Sequence, residues 1–298
     1  MLSARCVTAR TRGNWNNDVG LPLSLLDMDP RARVGVFELG VNHPGEMAPL
    51  CKLLAPDWGI VTAIAPVHLE FFSSVEAIAR EKAAVFRSLP GDGVGIYCAD
   101  DAHAGVLASA LKCRRLTVAL AGGADYTAAF ERGESGPAVV RERDTGSTCR
   151  LLMPLPGLHH LVNALFAVAA GRAHGIGWDE IRTALEAYRT QPMRWERSLL
   201  SGALVVNDAY NANPTSMRAA LRAFAQMEVS GRKWVVLGGM RELGRLEEEE
   251  HEAIGREAAA AAPWAGLVTV GSLGALIARA AAGLGPGRLA PCADHAEA

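Results

Sequence analysis

Lysine is scarce in this 298-residue sequence, and there is no excess of positive charge. Only four of the 30 basic residues are lysines, so few side chains are available for chemistry that needs a primary amine. The basic residues are balanced by 32 acidic ones, which gives a formal net charge of −2. Nucleic acids and anionic membranes attract basic surfaces, so this balance argues against both as partners.

Long apolar runs and paired cysteines are also missing. Glycine, proline or charged residues interrupt each hydrophobic stretch well short of the ~18 residues that a membrane span needs. The N-terminal segment MLSARCVTARTRGN lacks the apolar core of a signal peptide. The six cysteines lie far apart without a CxxC pair, which argues against a disulfide framework or a zinc site. We therefore expect a cytoplasmic protein without membrane insertion.

Short apolar strands alternate with helix-length periodic segments in the first half of the chain. Strands are expected at 33–38, 58–65, 94–99 and 114–120, and helices at 45–55, 74–89 and about 101–112. This order predicts an α/β fold with a doubly wound, mostly parallel sheet. Residues 121–153 have little helical period, which predicts antiparallel strands along one edge.

Two helices, at about 159–174 and 178–189, close this region, and the α/β order then starts again. The second unit is expected to contain strands at 203–208, 233–239 and 266–270 and helices at 214–227, 246–262 and 272–282. The sequence therefore predicts two domains, residues 1–194 and 195–298, the second of them Rossmann-like.

Glu38 and His68 lie where ligands bind in open α/β sheets, just beyond the carboxyl ends of strands. Glu38 closes the strand 33–38, and His68 follows the strand 58–65. A carboxylate and an imidazole at neighbouring strand ends could share one divalent cation. The alternative is a solvated strand end beside a loop histidine with ordinary hydrogen bonds.

Lys82 is expected on the apolar face of a helix. Ser73 and Glu76 have the spacing of a capping box, which places the helix start near Ser74. Lys82 then falls within the stripe that also contains Val75, Ile78, Val85, Phe86 and Leu89. Burial favours the neutral amine, which is the form that reacts with CO2 to give a carbamate. Such a carbamate could bind a metal beside Glu38 and His68; the alternative is a lysine that extends its ammonium group to water.

A second group of polar residues lies near the junction of the two expected domains. His159 and Asn163 are four residues apart on one side of a helix, which suits an adenine edge or a plain solvated face. Arg194 lies at the boundary, where it could bind an interdomain ligand or form an ordinary ion pair. Beyond it, Asp208 ends a strand, and Asn213 is the expected cap of the helix that starts at Pro214.

Six segments resemble, in order and spacing, motifs of the Mur ligases of peptidoglycan synthesis. They are TRGNWNNDVGLPLSLL (11–26), FELGVNHPGEM (37–47), APVHLEFFSSVEAIAREKAAVF (65–86), LPGLHHLVNALFAVAA (155–170), NDAYNANPTSMRAAL (207–221) and VLGGMRELGRLEEEEHEAIG (236–255). The resemblance covers nearly the whole chain. NDAYNANP and MRELG favour the branch of the family that adds D-Ala-D-Ala to UDP-N-acetylmuramoyl tripeptide.

The resemblance implies an ATP- and Mg²⁺-dependent amide ligase that activates the tripeptide carboxylate as an acyl phosphate. It implies that Glu38, His68 and a carbamylated Lys82 bind the metal and serve catalysis. It implies contacts to ATP from His159, Asn163, Arg194 and Asp208. It also implies that the UDP-muramoyl substrate faces Asn14, Asn16 and Asn17, and that the incoming dipeptide lies near Tyr210, Asn211 and Asn213.

This sequence also departs from the family pattern. No GxxxxGK[ST] motif occurs, so the resemblance implies a fragment without the family's N-terminal domain, P-loop and C-terminal end, inactive without that P-loop. It implies a start within the helix that follows the P-loop, at about residues 2–10. His160 stands where the family usually has Asn, and Gly239 where an acidic residue is common. We expect a monomer. The open alternatives are a non-catalytic binding protein descended from a Mur ligase, and another Mur ligase or a folylpolyglutamate synthase relative.

Overall fold

The computed structural model describes residues 1–260, 263–285 and 287–298. Its helices are α1 (Gly20–Leu26), α2 (Met47–Leu54), α3 (Val75–Lys82), α4 (Ala84–Arg87), α5 (Ala104–Ala110), α6 (Leu158–Ala173), α7 (Trp178–Glu186), α8 (Pro214–Gln226), α9 (Glu247–Ala260) and α10 (Gly271–Ala280). Its strands are β1 (Thr8–Arg10), β2 (Val34–Val36), β3 (Trp58–Val61), β4 (Val94–Cys98), β5 (Arg114–Ala119), β6 (Tyr126–Phe130), β7 (Pro137–Glu142), β8 (Thr148–Leu152), β9 (Glu196–Leu200), β10 (Ala203–Asn207), β11 (Lys233–Leu237), β12 (Trp264–Val270) and β13 (Leu289–Cys292).

The largest sheet has six strands in the order β3-β4-β5-β6-β7-β8. The pairs from β3 to β6 are parallel, with Ile60 opposite Ile96 and Ile96 opposite Leu116. The pairs β6–β7 and β7–β8 are antiparallel and form the other edge. The predicted α/β fold with a mostly parallel sheet is therefore confirmed, as are the antiparallel strands within 121–153.

Helices cover both faces of this sheet, as a doubly wound arrangement requires. All five residues of β4 are buried, and successive side chains of a strand point to opposite faces. Ile96 belongs to the apolar cluster that includes Leu161 and Leu165 of α6. Tyr97 belongs to the cluster on the other face, with Phe86 of α4 and Leu107 of α5. Each fully buried side chain of this size contributes roughly 1.5–3 kcal/mol.

The chain start differs from the helix expected at about residues 2–10. Leu2–Ala4 is a short 3₁₀ turn, and β1 follows it. β1 pairs in parallel with β2, with Thr8 opposite Val34, as a separate two-stranded sheet. The strand expected at 33–38 is therefore shorter, does not belong to the main sheet, and leaves Val36 half exposed.

The second unit is built on the three-stranded parallel sheet β11-β12-β13. Its apolar cluster includes Leu221 of α8, Ile254 of α9 and Ile277 of α10. The strand expected at 203–208 forms as β10, but it pairs antiparallel with β9 in a separate hairpin. Residues 261 and 262, the end of the helix expected at 246–262, lie outside the described residues. The boundary between 194 and 195 stays a prediction.

The helix expected at 74–89 is interrupted at Ala83, which divides it into α3 and α4. Its start is close to the prediction, because the Ser74 hydroxyl accepts a hydrogen bond from the Ala77 amide at 3.1 Å. Ile78, Val85 and Phe86 are buried as expected. The helices of the described ranges include none that is both long and apolar enough to cross a bilayer.

Candidate active site

Glu38 lies just beyond β2 and is held in place by residues of the N-terminal segment. Its backbone amide donates to the Thr11 hydroxyl at 2.7 Å, and Asn16 Nδ2 donates to its Oε1 at 2.9 Å. The Gly40 amide also donates to the Asn16 carbonyl, at 2.8 Å. The structure therefore folds the asparagine-rich segment onto Glu38, which remains exposed to solvent.

The three expected substrate-binding asparagines have different local surroundings. Asn17 Oδ1 accepts from the Gly20 amide at 2.8 Å and from the Val19 amide at 3.3 Å, so it satisfies free donors at the start of α1. The Asn14 side chain is exposed. The Asn16 side chain donates its hydrogen bond to Glu38. The roles of all three toward a substrate stay predictions.

Lys82 ends α3 and lies near the segments that follow β3 and β4. Its Nζ donates to the Ala63 carbonyl at 3.3 Å. Burial lowers the pKa of Lys82, and the nearby Asp101 carboxylate opposes this shift. Asp101 is fixed by the Ile64 and His103 amides, at 2.9 and 2.8 Å. Sequence reasoning missed Asp101, although it lies three residues beyond β4, close to a strand end like Glu38.

His68 contacts a residue of the second unit that the sequence did not assign to it. Its Nδ1 is hydrogen-bonded to Glu242 Oε2, across 174 positions of sequence. The Glu70 amide also donates to the Glu242 carbonyl, at 3.2 Å. Within the described residues, no three or more His, Cys, Asp or Glu side chains are grouped so that they could hold a metal. A metal shared by Glu38, His68 and Lys82 stays a prediction.

The chemistry of these three residues nevertheless suits a divalent cation. Phe37 and Leu39 flank Glu38, and both pack against the same apolar cluster as Ile64. Ile64 follows Ala63, whose carbonyl accepts the hydrogen bond from Lys82. Magnesium prefers oxygen ligands, which the Glu38 carboxylate and a carbamate on Lys82 would supply, and His68 would add an imidazole nitrogen. The two oxygen donors therefore fit a magnesium ion.

The start of α6 brings together His159, His160 and the buried Trp195. The His159 and His160 rings are 4.0 Å apart between centroids, and His160 meets Trp195 edge-on at 6.0 Å. Burial lowers the pKa of His160 to about 3, with a contribution from His159, and burial also lowers the pKa of His159. Among the described residues, neither His160 Nε2 nor Trp195 Nε1 has a hydrogen-bond partner.

His160 and Trp195 were not predicted as functional residues. The sequence contained two indications of a role for them. His160 departs from the family pattern, and Trp195 directly follows the candidate residue Arg194. Asn163 is exposed and Leu161 and Leu165 are fully buried, as the helical period predicts. The roles of His159 and Asn163 in nucleotide binding stay predictions.

The structure brings Arg194, Asp208 and Tyr210 together. The Arg194 guanidinium lies over the Tyr210 ring, 4.2 Å from its centroid, and Asp208 Oδ1 accepts from the Trp195 amide at 3.0 Å. Desolvation raises the pKa of Asp208, while the Trp195 amide and Arg194 oppose the shift. Met193 and Trp195 both have left-handed backbone, with φ of 59° and 52°. Such strained residues cluster at functional sites.

The two remaining candidate residues mainly stabilise the backbone. Asn213 caps α8, because its Oδ1 accepts from the Ser216 amide at 2.9 Å, which confirms the predicted cap. Asn211 Oδ1 accepts from the Ala212 amide at 2.8 Å. Their expected contacts to a dipeptide stay predictions.

Comparison with known proteins defines the class. Residues 1–171 match the family model of the Mur ligase middle domain, and residues 193–298 match that of the Mur ligase glutamate ligase domain. The chain belongs to the Mur ligase family.

Curated relatives and solved structures identify a branch of that family. The UDP-N-acetylmuramoyl-tripeptide–D-alanyl-D-alanine ligase of Bacillus subtilis is 36% identical over 276 residues, 91% of this chain and 58% of that protein. The same ligase of Escherichia coli is 36% identical over 258 residues, 85% of this chain and 56% of that protein. MurF from Acinetobacter baumannii has a TM-score of 0.86 at 32% identity, over 98% of this chain and 62% of that one. The chain thus spans about half the length of the curated relatives it matches.

Proposed function

We propose that this chain takes part in ATP-dependent formation of an amide bond between UDP-N-acetylmuramoyl tripeptide and D-Ala-D-Ala. The observation that carries the proposal is the partly buried Lys82 at the carboxyl edge of the main sheet, whose pKa is lowered by burial. A structural lysine on a helix surface would extend to water, whereas this one has a carbonyl partner at 3.3 Å. The names of the relatives supply the substrates.

The proposed reaction has two steps. The tripeptide's terminal carboxylate attacks the γ-phosphorus of ATP, which forms an acyl phosphate and releases ADP. The dipeptide amine then attacks the acyl carbon, loses a proton, and expels inorganic phosphate as the amide forms. Magnesium would neutralise negative charge on the phosphates during transfer. The substrates of this reaction are soluble precursors, so the proposal includes a cytoplasmic location.

Each part of the candidate active site has a role in this proposal. Glu38, His68 and carbamylated Lys82 would hold the metal. His159, Asn163, Arg194 and Asp208 would bind the nucleotide; the Arg194 guanidinium can also counter phosphate charge. Asn14, Asn16 and Asn17 would face the UDP-muramoyl substrate, and Tyr210, Asn211 and Asn213 the dipeptide.

Phosphate release tests the proposal, on these 298 residues and on a longer chain that supplies a GxxxxGK[ST] loop, with ATP, Mg²⁺, the UDP-muramoyl tripeptide and D-Ala-D-Ala supplied together and each omitted in turn. Turnover that needs all four and is lost in Lys82→Ala supports the proposed ligase. Lys52→Ala is the matched control, because Lys52 is exposed on α2 and has no role in the proposal. A ¹³C-bicarbonate NMR signal from a carbamate, present in Lys52→Ala and absent in Lys82→Ala, would support the metal-binding role of Lys82.

A non-catalytic binding protein is the second candidate, favoured by the lack of a GxxxxGK[ST] motif in these 298 residues. It predicts ATP binding in a direct titration and no turnover under any combination of substrates, even in a longer chain that supplies a GxxxxGK[ST] loop. That outcome would contradict the ligase proposal.

A further inference from the structure

Glu242 fixes the hydrogen-bonding state of His68. An ionised carboxylate can only accept hydrogen bonds, so the contact between Glu242 Oε2 and His68 Nδ1 requires hydrogen on Nδ1. A neutral imidazole carries hydrogen on one nitrogen only, which leaves the lone pair on Nε2. This is the state in which Nε2 can bind a metal ion.

Both residues of this contact have a costly backbone conformation. His68 has φ of 56° and Glu242 has φ of 62°. Left-handed backbone at residues other than glycine is unfavourable and persists only where the surroundings impose it. The surroundings here are tight, because a Cβ added to Gly244 would lie 3.3 Å from the Glu70 Cα. Two strained residues thus face each other across the two units.

The loop that carries Glu242 is also anchored to its own unit. His251 is fully buried, and its Nε2 accepts from the Met240 amide at 2.8 Å. Its Nδ1 lies 2.5 Å from the Glu247 carbonyl, to which it donates. This histidine joins the loop after β11 to α9, so the position of Glu242 is set by the packing of the second unit.

We propose that Glu242 is a positioning residue for His68, through which the docking of the second unit prepares the metal site of the first. The proposal deepens the proposed function, because it assumes that His68 binds the metal. Carboxylates that hold a ligating histidine by its second nitrogen orient the ring and strengthen metal binding 10–100-fold, roughly.

The test measures the tautomer of His68 and the affinity for Mn²⁺ on the whole chain. ¹⁵N-histidine NMR at a pH where free histidine is neutral shows which ring nitrogen carries hydrogen, and His68→Gln assigns the signal. Glu242→Ala and Glu242→Gly both remove the carboxylate, but alanine keeps the backbone strain and glycine relieves it. Glu242→Gln retains an acceptor without the charge. Glu249→Gln makes the same charge change at an exposed position of α9.

We expect hydrogen on Nδ1 of His68 in the parent chain and a mixed tautomer in both Glu242→Ala and Glu242→Gly. Mn²⁺ binding should weaken roughly 10–100-fold in both, by less in Glu242→Gln, and not in Glu249→Gln. Hydrogen on Nε2 in the parent chain, or an unchanged tautomer and affinity in Glu242→Gly, would overturn the proposal. A parent chain that binds no Mn²⁺ contradicts the proposed metal site instead, and the tautomer still decides the role of Glu242.

Discussion

The guanidinium of Arg194 lies over the Tyr210 ring, and this contact joins the loop before β9 to the loop after β10. A second bond holds the same two loops, from the Tyr210 amide to the Met193 carbonyl at 3.1 Å. Arg194 is therefore positioned without a ligand, because the Tyr210 ring holds its guanidinium group in place.

Removing the ring should measure the strength of this stacking. Tyr210→Ala is expected to lower the free energy of unfolding by about 0.5–1 kcal/mol, since both residues are exposed. Tyr210→Phe keeps the ring and should change it by less than about 0.3 kcal/mol. Urea denaturation of both variants, alone and combined with Arg194→Ala, gives the coupling energy. Equal losses in the Ala and Phe variants would show that the hydroxyl, and not the ring, matters.

Acid should destabilise the protein through His160. Its pKa is about 3 in the folded state because burial disfavours the charged ring, against about 6.5 in the unfolded chain. Below pH 6.5 the unfolded state binds a proton that the folded state does not, so stability falls as the pH drops toward 3. The loss approaches about 1.4 kcal/mol per pH unit for one proton. His160→Asn should flatten the dependence between pH 6.5 and 5, measured by urea denaturation. An unchanged slope would contradict the burial of a neutral His160.

Glu142 is the anchor of a buried polar network between the antiparallel strands and α6. It accepts from the Tyr126 hydroxyl at 2.7 Å, from Arg172 at 2.9 Å and from Thr145 at 2.8 Å. Burial alone would raise its pKa, but these hydrogen bonds lower it to about 2. The stability that Glu142 contributes is therefore present above its unfolded pKa and is lost as the pH falls below about 4.3 toward 2.

Glu142→Gln should lower the free energy of unfolding by about 3 kcal/mol, because it leaves the Arg172 charge without its partner. Glu131→Gln is the matched control, at the residue that follows β6. Its partner Arg150 lies 2.7 Å away and is exposed, so that substitution should cost much less than Glu142→Gln. Thermal denaturation at pH 7 compares the two. Similar losses would mean that the Glu142 network is no stronger than a surface pair.

Gly157 is required at the start of α6 for two separate reasons. Its φ is 99°, and an added Cβ would lie 2.7 Å from the His159 ring and 3.1 Å from Ala223. Gly122 has nearly the same φ, 100°, with nothing within 4 Å of an added Cβ. Gly122→Ala should cost only the backbone strain, about 1–3 kcal/mol.

Gly157→Ala should cost at least about 1 kcal/mol more than that, because the His159 ring must also move. The difference between the two variants isolates the steric part. NMR shifts of the His159 ring, changed in Gly157→Ala and unchanged in Gly122→Ala, would report its displacement. Equal costs and equal spectra would contradict the close approach.

Periodicity predicted the buried elements well, because burial in the apolar core determines which of their positions are hydrophobic. The strand at 94–99 and the helix at 159–174 form within one or two residues of their expected bounds, as β4 and α6. The cap Asn213 was also predictable, since an Asn before Pro satisfies free amides in a local geometry. Exposed elements were harder: β9 has mostly exposed residues and no alternation, so nothing in its pattern marks it as a strand.

The contacts of the site were predictable only where they are local. Arg194, Asp208 and Tyr210 come together because each flanks the short β9–β10 hairpin. The bond between His68 and Glu242 joins residues 174 positions apart, and no local rule links a loop histidine to a glutamate in MRELG. Likewise, Asp101 lies near Lys82 because β3 and β4 are neighbours in the sheet. Composition and spacing do not specify that strand order.

The separate apolar clusters determine how the protein should melt. The clusters that contain Ile96 and Tyr97 share the main sheet and must be lost together, whereas the cluster around Leu221 and Ile277 belongs to the second sheet. Calorimetry should therefore resolve two heat-absorption peaks, not one, because multidomain chains depart from two-state unfolding. A ligand that contacts both units would raise the melting temperature of the lower peak toward that of the upper one. The temperature difference between the peaks therefore reports whether a ligand contacts both units.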